Sequence, residues 1–222
     1  MPSLPVALII LSSALAPAAV LATPLTVLVF GDSIAAGSAL PPGERSLVWV
    51  SRVQQLASGR LRMVNEGESG RWTDALDEFD AVLGRQPRAD ILVLALGTND
   101  SADVSGRAPE RAARNLGEMV RRARRAYGTQ LAVLIVAPPN VRKDALLRSR
   151  GIADQRERTL KQMESALREL AARLGCEFVT LYGVVPSAGL ASDGMHPDAA
   201  GNASIARVVL PKLLSMAGSI RP

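Results

Sequence analysis

The sequence predicts an α/β fold, a three-layer sandwich in which a doubly wound parallel sheet of five strands lies between two layers of helices. Five apolar, β-branched runs alternate with helical patterns along the 222 residues, and this alternation is typical of parallel strands joined by helical crossovers. The length suits one α/β domain and is too short for two ordinary ones. We therefore expect a flavodoxin-like architecture.

The strands are predicted from apolar runs bounded by turn residues. The middle three runs are almost continuously apolar, as expected for strands buried on both faces of a parallel sheet. In such a sheet, the loops at the carboxyl ends of the strands carry the residues that handle ligands. The predicted strands are Thr26–Phe30, Leu61–Asn65, Ile91–Leu96, Leu131–Ala137 and Glu177–Leu181.

Helical patterns separate the predicted strands, and one more follows the last strand. Pro109 and Pro197 suit the first turn of a helix, where the missing N–H carries no cost. Two longer loops are expected at 101–108 and 140–152, and the second is either a cover over the site or a solvated loop. The predicted helices are Ser46–Ser58, Thr73–Leu83, Pro109–Tyr127, Asp154–Leu174 and a last one from about Pro197 to Met216.

The N-terminus carries an apolar segment that Ser12, Ser13 and Pro17 interrupt. The segment is too short for a good membrane span, and Ala22 ends a sequence that a signal peptidase accepts. We therefore predict a signal peptide at residues 1–22 and a single exported domain, periplasmic or secreted, at residues 23–222, with no stable membrane insertion after processing. The alternative is an N-terminal extension or a misassigned start, since no Lys or Arg precedes the apolar run.

The chain has a net charge of +5, and most of its positive charges are arginines. Many of these arginines fall on one predicted helix. No aromatic residue interleaves them and Glu118 shares the helix, so a solvated helix face is favoured over a nucleic-acid site. Weak attraction to anionic polymers or membrane surfaces is left open. The single cysteine excludes an internal disulfide. The clustered arginines are Arg111, Arg114, Arg121, Arg122, Arg124 and Arg125.

Polar groups follow the first, second, third and fifth predicted strands, so all of them are expected at one edge of the sheet. This convergence is the main physical argument for a functional site, because each group alone is also a common turn sequence. Glycine lets the backbone come close to a ligand. The side-chain amide of asparagine can donate hydrogen bonds to it. The groups are Ser33, the glycines Gly67 and Gly70, the segment Gly97-Thr98-Asn99-Asp100, and the pair Asp193 and His196.

The only histidine of the chain, His196, lies three residues after Asp193. A hydroxyl becomes a useful nucleophile when a base takes its proton, and imidazole is well suited to that task. We therefore expect Asp193 to orient His196 and His196 to activate Ser33. The competing interpretations are a histidine packed for structural reasons and half of a metal site. A zinc site is disfavoured because no second histidine and no cysteine pair could complete it.

Acyl transfer also needs hydrogen-bond donors aimed at the developing oxyanion. Three candidates lie at the same predicted edge: the Ser33 N–H, the Gly70 N–H and the side-chain amide of Asn99. An asparagine donates without a charge that would repel an oxyanion. Gly67 is the alternative to Gly70.

These residues resemble the four sequence blocks of the SGNH hydrolases, also called the GDSL esterase/lipase family. The first block resembles Phe30-Gly31-Asp32-Ser33, and the third resembles Gly97-Thr98-Asn99-Asp100. The last resembles Asp193-Gly194-Met195-His196-Pro197, and the glycine of the second matches Gly70 best, with Asn65 and Ser69 in supporting positions. The resemblance implies Ser33, Asp193 and His196 as catalytic residues and Ser33, Gly70 and Asn99 as the oxyanion hole.

The resemblance implies ester hydrolysis through an acyl-Ser33 intermediate, on a small-molecule substrate and without a metal or cofactor. A small-acyl esterase of broad range, similar to lysophospholipases and thioesterases, is the first expectation, and a carbohydrate O-acetylesterase is the second. The non-enzymatic alternative is a doubly wound module that binds a nucleotide or phosphate. The segment from Phe30 to Gly37 contains neither the Gly-x-Gly-x-x-Gly motif nor a Walker loop, the two glycine-rich motifs that bind phosphate. Asp32 would also repel phosphate. The oligomeric state is left open.

Overall fold

The computed structural model describes residues 23–146 and 150–220. Its five strands form one parallel sheet in the order β2-β1-β3-β4-β5, which confirms the predicted fold class. The strand order reverses beside β1, so β1 lies at the switch point where such sheets form their ligand crevice. The predicted signal peptide lies outside the described residues. The strands are β1 Leu25–Gly31, β2 Leu61–Gly67, β3 Ile91–Ala95, β4 Ala132–Ala137 and β5 Glu177–Thr180.

Helices cover both faces of the sheet. Helices α1, α2 and α6 contribute to the core on one face, whereas α3, α4 and α5 contribute to the core on the other. The helices are α1 Ser33–Ala36, α2 Trp49–Leu56, α3 Leu76–Arg85, α4 Ala108–Tyr127, α5 Arg150–Leu174 and α6 Ala199–Ile220, with short 3₁₀ helices at Pro42–Leu47, Asp100–Ala102 and Ser187–Gly189.

Strand β1 is buried along its whole length because it lies inside the sheet with helices on both faces. Its side chains alternate, as the pleat requires. Val27 and Val29 pack toward α2 and α6, and Leu28 and Phe30 pack toward α3 and α4. The Phe30 ring meets Phe79 of α3 edge to face, with centroids 4.9 Å apart. These contacts fix the end of the strand that precedes Ser33.

Two sequence predictions about exposure and boundaries are wrong. Strand β2 is not buried on both faces: most of its side chains are partly exposed. The reason is that β2 is the outermost strand on one side of the sheet. Helix α6 begins at Ala199 rather than at Pro197. The Asp198 carboxylate caps this helix by accepting the N–H groups of Ala200 and Gly201, at 2.8 and 2.9 Å. Pro197 therefore precedes the cap.

Helix α6 is long and apolar enough to cross a membrane by length and composition alone. Five of its apolar side chains lie in the core beside α2, and 28% of its most apolar window is buried. The helix also holds α2 in place, because the buried Asn202 side chain accepts the Trp49 N–H at 2.9 Å. The core side chains of α6 are Ile205, Ala206, Val209, Leu213 and Met216.

The arginine-rich face of α4 is an ion-pair network. Arg121, Arg122 and Arg125 all donate to Glu118, and these hydrogen bonds lower the pKa of the Glu118 carboxyl to about 2. Arg122 also pairs with Asp80 of α3 at 2.6 Å. Much of the positive charge on this face is therefore neutralised by neighbouring carboxylates.

Candidate active site

Ser33 is the first residue of α1, directly beyond the end of β1. The helix starts here because the Asp32 carboxylate accepts the Ile34 N–H at 2.9 Å, as in other N-caps. It ends after one turn at Gly37, whose φ of 71° lies in the left-handed region. The first N–H of a helix has no acceptor within the helix. The Ser33 N–H is therefore available for a ligand.

Ser33, His196 and Asp193 form a continuous chain of hydrogen bonds. The Oγ of Ser33 lies 2.9 Å from Nε2 of His196, and Nδ1 of His196 lies 2.6 Å from Oδ2 of Asp193. The other oxygen of Asp193 accepts the N–H groups of Met195 and His196, at 2.9 and 3.0 Å. The structure thus brings together the three residues that the sequence predicts as catalytic.

The carboxyl of Asp193 is held in its charged form. Partial burial would raise its pKa, but the hydrogen bonds from the His196 side chain and from the two backbone N–H groups outweigh burial and lower it. The charged carboxylate faces Nδ1 of His196, so it fixes the tautomer in which Nε2 is free to accept a proton. This arrangement is suited to general-base catalysis by Nε2.

Arg142 holds the loop that carries Asp193 and His196. Its backbone N–H donates to the Gly194 carbonyl at 2.7 Å, and its guanidinium lies within 3.3–3.4 Å of the carbonyls of Ser187, Leu190 and Ala191. Gly194 has a φ of 70°, and an added Cβ would lie 2.7 Å from the Arg142 carbonyl oxygen. The loop predicted at 140–152 is shorter than expected, since α5 already begins at Arg150. Within this loop, Arg142 holds the segment that carries Asp193 and His196.

The other two predicted oxyanion donors, Gly70 and Asn99, lie on the loops that follow β2 and β3. The Asn99 side-chain nitrogen donates one hydrogen to the Arg71 carbonyl at 2.8 Å. A carboxamide nitrogen carries two hydrogens, so the second can reach a substrate. Gly70 has a φ of 81°, and an added Cβ would meet no atom within 4 Å. The glycine at this position is therefore explained by its backbone conformation and not by crowding.

Gly67, the alternative oxyanion glycine, lies at the end of β2 against the backbone of α1. An added Cβ would lie 2.5 Å from the Ala36 nitrogen and 2.7 Å from the Ala35 carbonyl carbon. Asn65 stabilises this contact between β2 and α1. Its side chain donates to the Ala35 carbonyl at 2.8 Å and accepts the Gly67 N–H at 3.1 Å. Packing alone therefore accounts for Gly67, which favours Gly70 as the donor.

A buried carboxylate joins the loops that carry the two candidate donors Gly70 and Asn99. Asp100 accepts the backbone N–H of Thr73 at 3.0 Å and its hydroxyl at 2.6 Å. Burial raises the pKa of the Asp100 carboxyl, while the bonds from Thr73 and the nearby Arg111 act in the opposite direction. The sequence patterns indicated no role for Thr73, and they included Asp100 only as part of a block. Short polar residues in turn sequences give no signal that distinguishes such links.

Asp32 is a second buried carboxylate, directly before Ser33 and 1% exposed. Burial raises the pKa of its carboxyl to about 6, although the hydrogen bond from the Ile34 N–H acts in the opposite direction. Its role in the geometry is to cap α1. Because Asp32 lies directly before Ser33, its titration bears on the pH dependence of this site.

Apolar side chains are exposed on the loops beside the oxyanion donors. Trp72 is 37% exposed and Val104 is 68% exposed. The guanidinium of Arg111 lies 5.8 Å from the centre of the Trp72 ring and pairs with Asp103, the neighbour of Val104. Within residues 23–146 and 150–220, no cluster of three or more His, Cys, Asp or Glu side chains could hold a metal ion.

Comparison with known proteins gives one family and a set of similar structures. The GDSL-like lipase/acylhydrolase family model matches residues 29–203. No curated protein matches the chain.

Three solved structures illustrate the likeness in fold. A carbohydrate acetylesterase family member from Sinorhizobium meliloti has 23% identity and a TM-score of 0.74, over 87% of this chain and 99% of that one. A protein assigned as an arylesterase from Agrobacterium tumefaciens has 26% identity and a TM-score of 0.72, over 86% and 99%. The aryl esterase of M. smegmatis has 22% identity and a TM-score of 0.70, over 86% and 99%.

Proposed function

The chain belongs to the GDSL-like lipase/acylhydrolase family, and on this premise we propose that it is a serine esterase that works through an acyl-Ser33 intermediate. The observation that carries the proposal is the hydrogen-bond chain from Ser33 through His196 to Asp193. A serine whose hydroxyl faces a carboxylate-bound imidazole is the arrangement that nucleophilic acyl transfer requires.

Acylation begins when the Ser33 Oγ attacks the ester carbonyl carbon. Nε2 of His196 takes the Ser33 proton as the new C–O bond forms, and Asp193 stabilises the resulting imidazolium. The carbonyl oxygen becomes an oxyanion, which accepts hydrogen bonds from the Ser33 N–H, the Gly70 N–H and the Asn99 amide. The bond to the alcohol oxygen then breaks, and His196 gives its proton to the departing alcohol.

Deacylation repeats these steps with water. His196 takes a proton from a water molecule, and the hydroxide oxygen attacks the acyl carbon of the Ser33 ester. The same donors stabilise the second oxyanion. When it collapses, the bond to Oγ breaks, His196 returns the proton to Ser33, and the carboxylic acid leaves.

The surroundings of the site favour simple esters as substrates. Trp72 and Val104 expose apolar surface on the loops beside the oxyanion donors, and such surface binds an apolar acyl or aryl group more readily than a highly hydrated one. We therefore infer a small-acyl esterase of broad range. A carbohydrate O-acetylesterase is the second candidate, because the chain shares its fold with the Sinorhizobium meliloti carbohydrate acetylesterase family member.

Hydrolysis of p-nitrophenyl esters from acetate to palmitate, with acetylated sugars alongside, tests the proposal. We expect activity that is highest on short acyl chains. Ser33→Ala and His196→Ala should each remove most of it, and the double variant should be hardly slower than either single one because the residues act as a unit. Ser219→Ala, at the far end of α6, is the control and should keep full activity. Losses that multiply in the double variant would contradict the shared role.

A further inference from the structure

Arg71 is buried although it carries a charge, since its side chain is 6% exposed. Its guanidinium stacks on the Phe30 ring, 4.2 Å from the centroid, and pairs with Glu78 of α3 at 2.9 Å. Arginine is rarely buried to this extent without specific partners. Its remaining partners lie at the end of the sheet where Ser33 is found.

The guanidinium ties together the carboxyl ends of two neighbouring strands. One terminal nitrogen, Nη1, donates to the Gly31 carbonyl at 2.8 Å and also to the Glu66 carbonyl. Gly31 is the last residue of β1 and precedes Ser33 by two positions, and Glu66 is the last residue but one of β2. The Arg71 side chain is therefore anchored to the strand that carries the nucleophile.

The backbone of Arg71 is attached to the oxyanion donors. Its carbonyl accepts the Asn99 amide at 2.8 Å, and its peptide nitrogen follows Gly70 directly. One residue thus links the end of β1, the Gly70 turn and the Asn99 side chain. A shift of Arg71 would displace two of the three predicted donors, the Gly70 N–H and the Asn99 amide, relative to Ser33.

We propose that Arg71 is a positioning residue that holds the oxyanion donors at their working distance from Ser33. This inference rests on the proposed esterase function. Arg71 does not touch the substrate; it acts through the Asn99 amide and the Gly70 N–H. Arginine suits this role because its planar fork donates in several fixed directions, whereas lysine offers one compact, rotatable ammonium group. Oxyanion donors act only when they are placed before the reaction.

Steady-state hydrolysis of p-nitrophenyl acetate tests the inference in two backgrounds. In the wild-type background, Arg71→Met should lower kcat roughly 10- to 100-fold, as expected for misplaced catalytic groups, with KM changed by less than about threefold. In the Asn99→Ala background, the same substitution should lower kcat by a clearly smaller factor than in the wild type, because the effect through the Asn99 amide is already lost and only the effect through the Gly70 N–H remains. Arg71→Lys should retain an intermediate kcat, and it carries the test if Arg71→Met does not fold.

Arg124→Met is the matched control. Arg124 also donates to backbone carbonyls, those of Leu174 and Gly175. These lie just before β5, at the amino ends of the strands and away from Ser33. This variant should lose stability without losing kcat. Equal losses of kcat in both backgrounds, or a raised KM with unchanged kcat, would overturn the inference for Arg71 alone. A wild-type chain without esterase activity would overturn the proposed function together with it.

Discussion

The Ser33 Oγ and the His196 Nε2 lie 2.9 Å apart although 163 positions separate them in the chain. The sheet accounts for this approach. Ser33 follows β1 and His196 lies in the loop region after β5, so both are at the carboxyl edge of the same parallel sheet. Arg142, from the loop after β4, fixes the second of these segments. Segments that are distant in the chain therefore supply one site.

Asn99→Ala should lower kcat by roughly 10²–10³, the cost of one oxyanion donor, with little change in KM. The reason is that the amide would contact the oxygen only after it becomes an oxyanion. Asn99→Asp is the informative partner variant, because it keeps the shape and places a negative charge beside the oxyanion. Steady-state kinetics on one p-nitrophenyl ester measures both. A raised KM with unchanged kcat would show that Asn99 binds the ground state instead.

Alanine at Gly67 and at Gly70 should have different effects. Gly67→Ala should reduce the free energy of unfolding by roughly 1–3 kcal/mol, the usual cost of overpacking, because its Cβ would meet the α1 backbone. Gly70→Ala would meet no neighbouring atom, but its φ of 81° lies in the left-handed region, so it should lose roughly 1–2 kcal/mol of stability through backbone strain and should also lower kcat. Urea unfolding and kinetics separate the two effects. A folded Gly67→Ala variant with a low kcat, beside a fully active Gly70→Ala variant, would reassign the donor to Gly67.

Asp32→Asn should change how stability depends on pH. The folded pKa of Asp32, about 6, lies above its ordinary value of 3.8, so the stability that Asp32 contributes at low pH is lost as pH rises through 6. The shift corresponds to about 3 kcal/mol. Because an asparagine side chain does not titrate, the variant should gain about that much relative to wild type between low and neutral pH. Urea unfolding across pH measures this difference.

The surface variant Glu169→Gln serves as the control for this experiment, since the Glu169 side chain is exposed on α5. Its unfolding free energy should follow that of the wild type at every pH. A constant difference between Asp32→Asn and the wild type across the same range would mean that Asp32 titrates alike in the folded and unfolded chains, against the prediction.

The acid limb of kcat/KM should follow His196, because a protonated imidazole cannot accept the Ser33 proton. Asp32 titrates near pH 6 beside the same serine, so the two groups must be separated. The Asp32→Asn variant should retain an acid limb, and its midpoint should coincide with the imidazole NMR titration of that variant, which the single histidine makes unambiguous to assign. A profile that loses its acid limb in Asp32→Asn would assign the limb to Asp32.

The fold class, and the meeting of Ser33, Asp193 and His196 at one end of the sheet, could be predicted from the sequence because both follow from local signals. Apolar runs locate strands, and the polar residues after them locate the sheet edge. The exposure of β2 could not be predicted, because a hydrophobic pattern does not specify the order of strands in a sheet. The buried contacts of Arg71 and the loop contacts of Arg142 could not be predicted either. Both bind backbone carbonyls, which carry no sequence signature, so they could not be distinguished from arginines on a solvated surface.

Labelling with a fluorophosphonate probe tests the central claim, that His196 and Asp193 activate Ser33, most directly. Such a probe reacts with an activated serine and forms a stable covalent adduct. Intact mass and peptide mapping should show one adduct on Ser33 in the wild-type protein, none in Ser33→Ala, and a strongly slowed reaction in His196→Ala. No adduct in the folded wild-type protein, or an adduct on another residue that persists in Ser33→Ala, would contradict this claim.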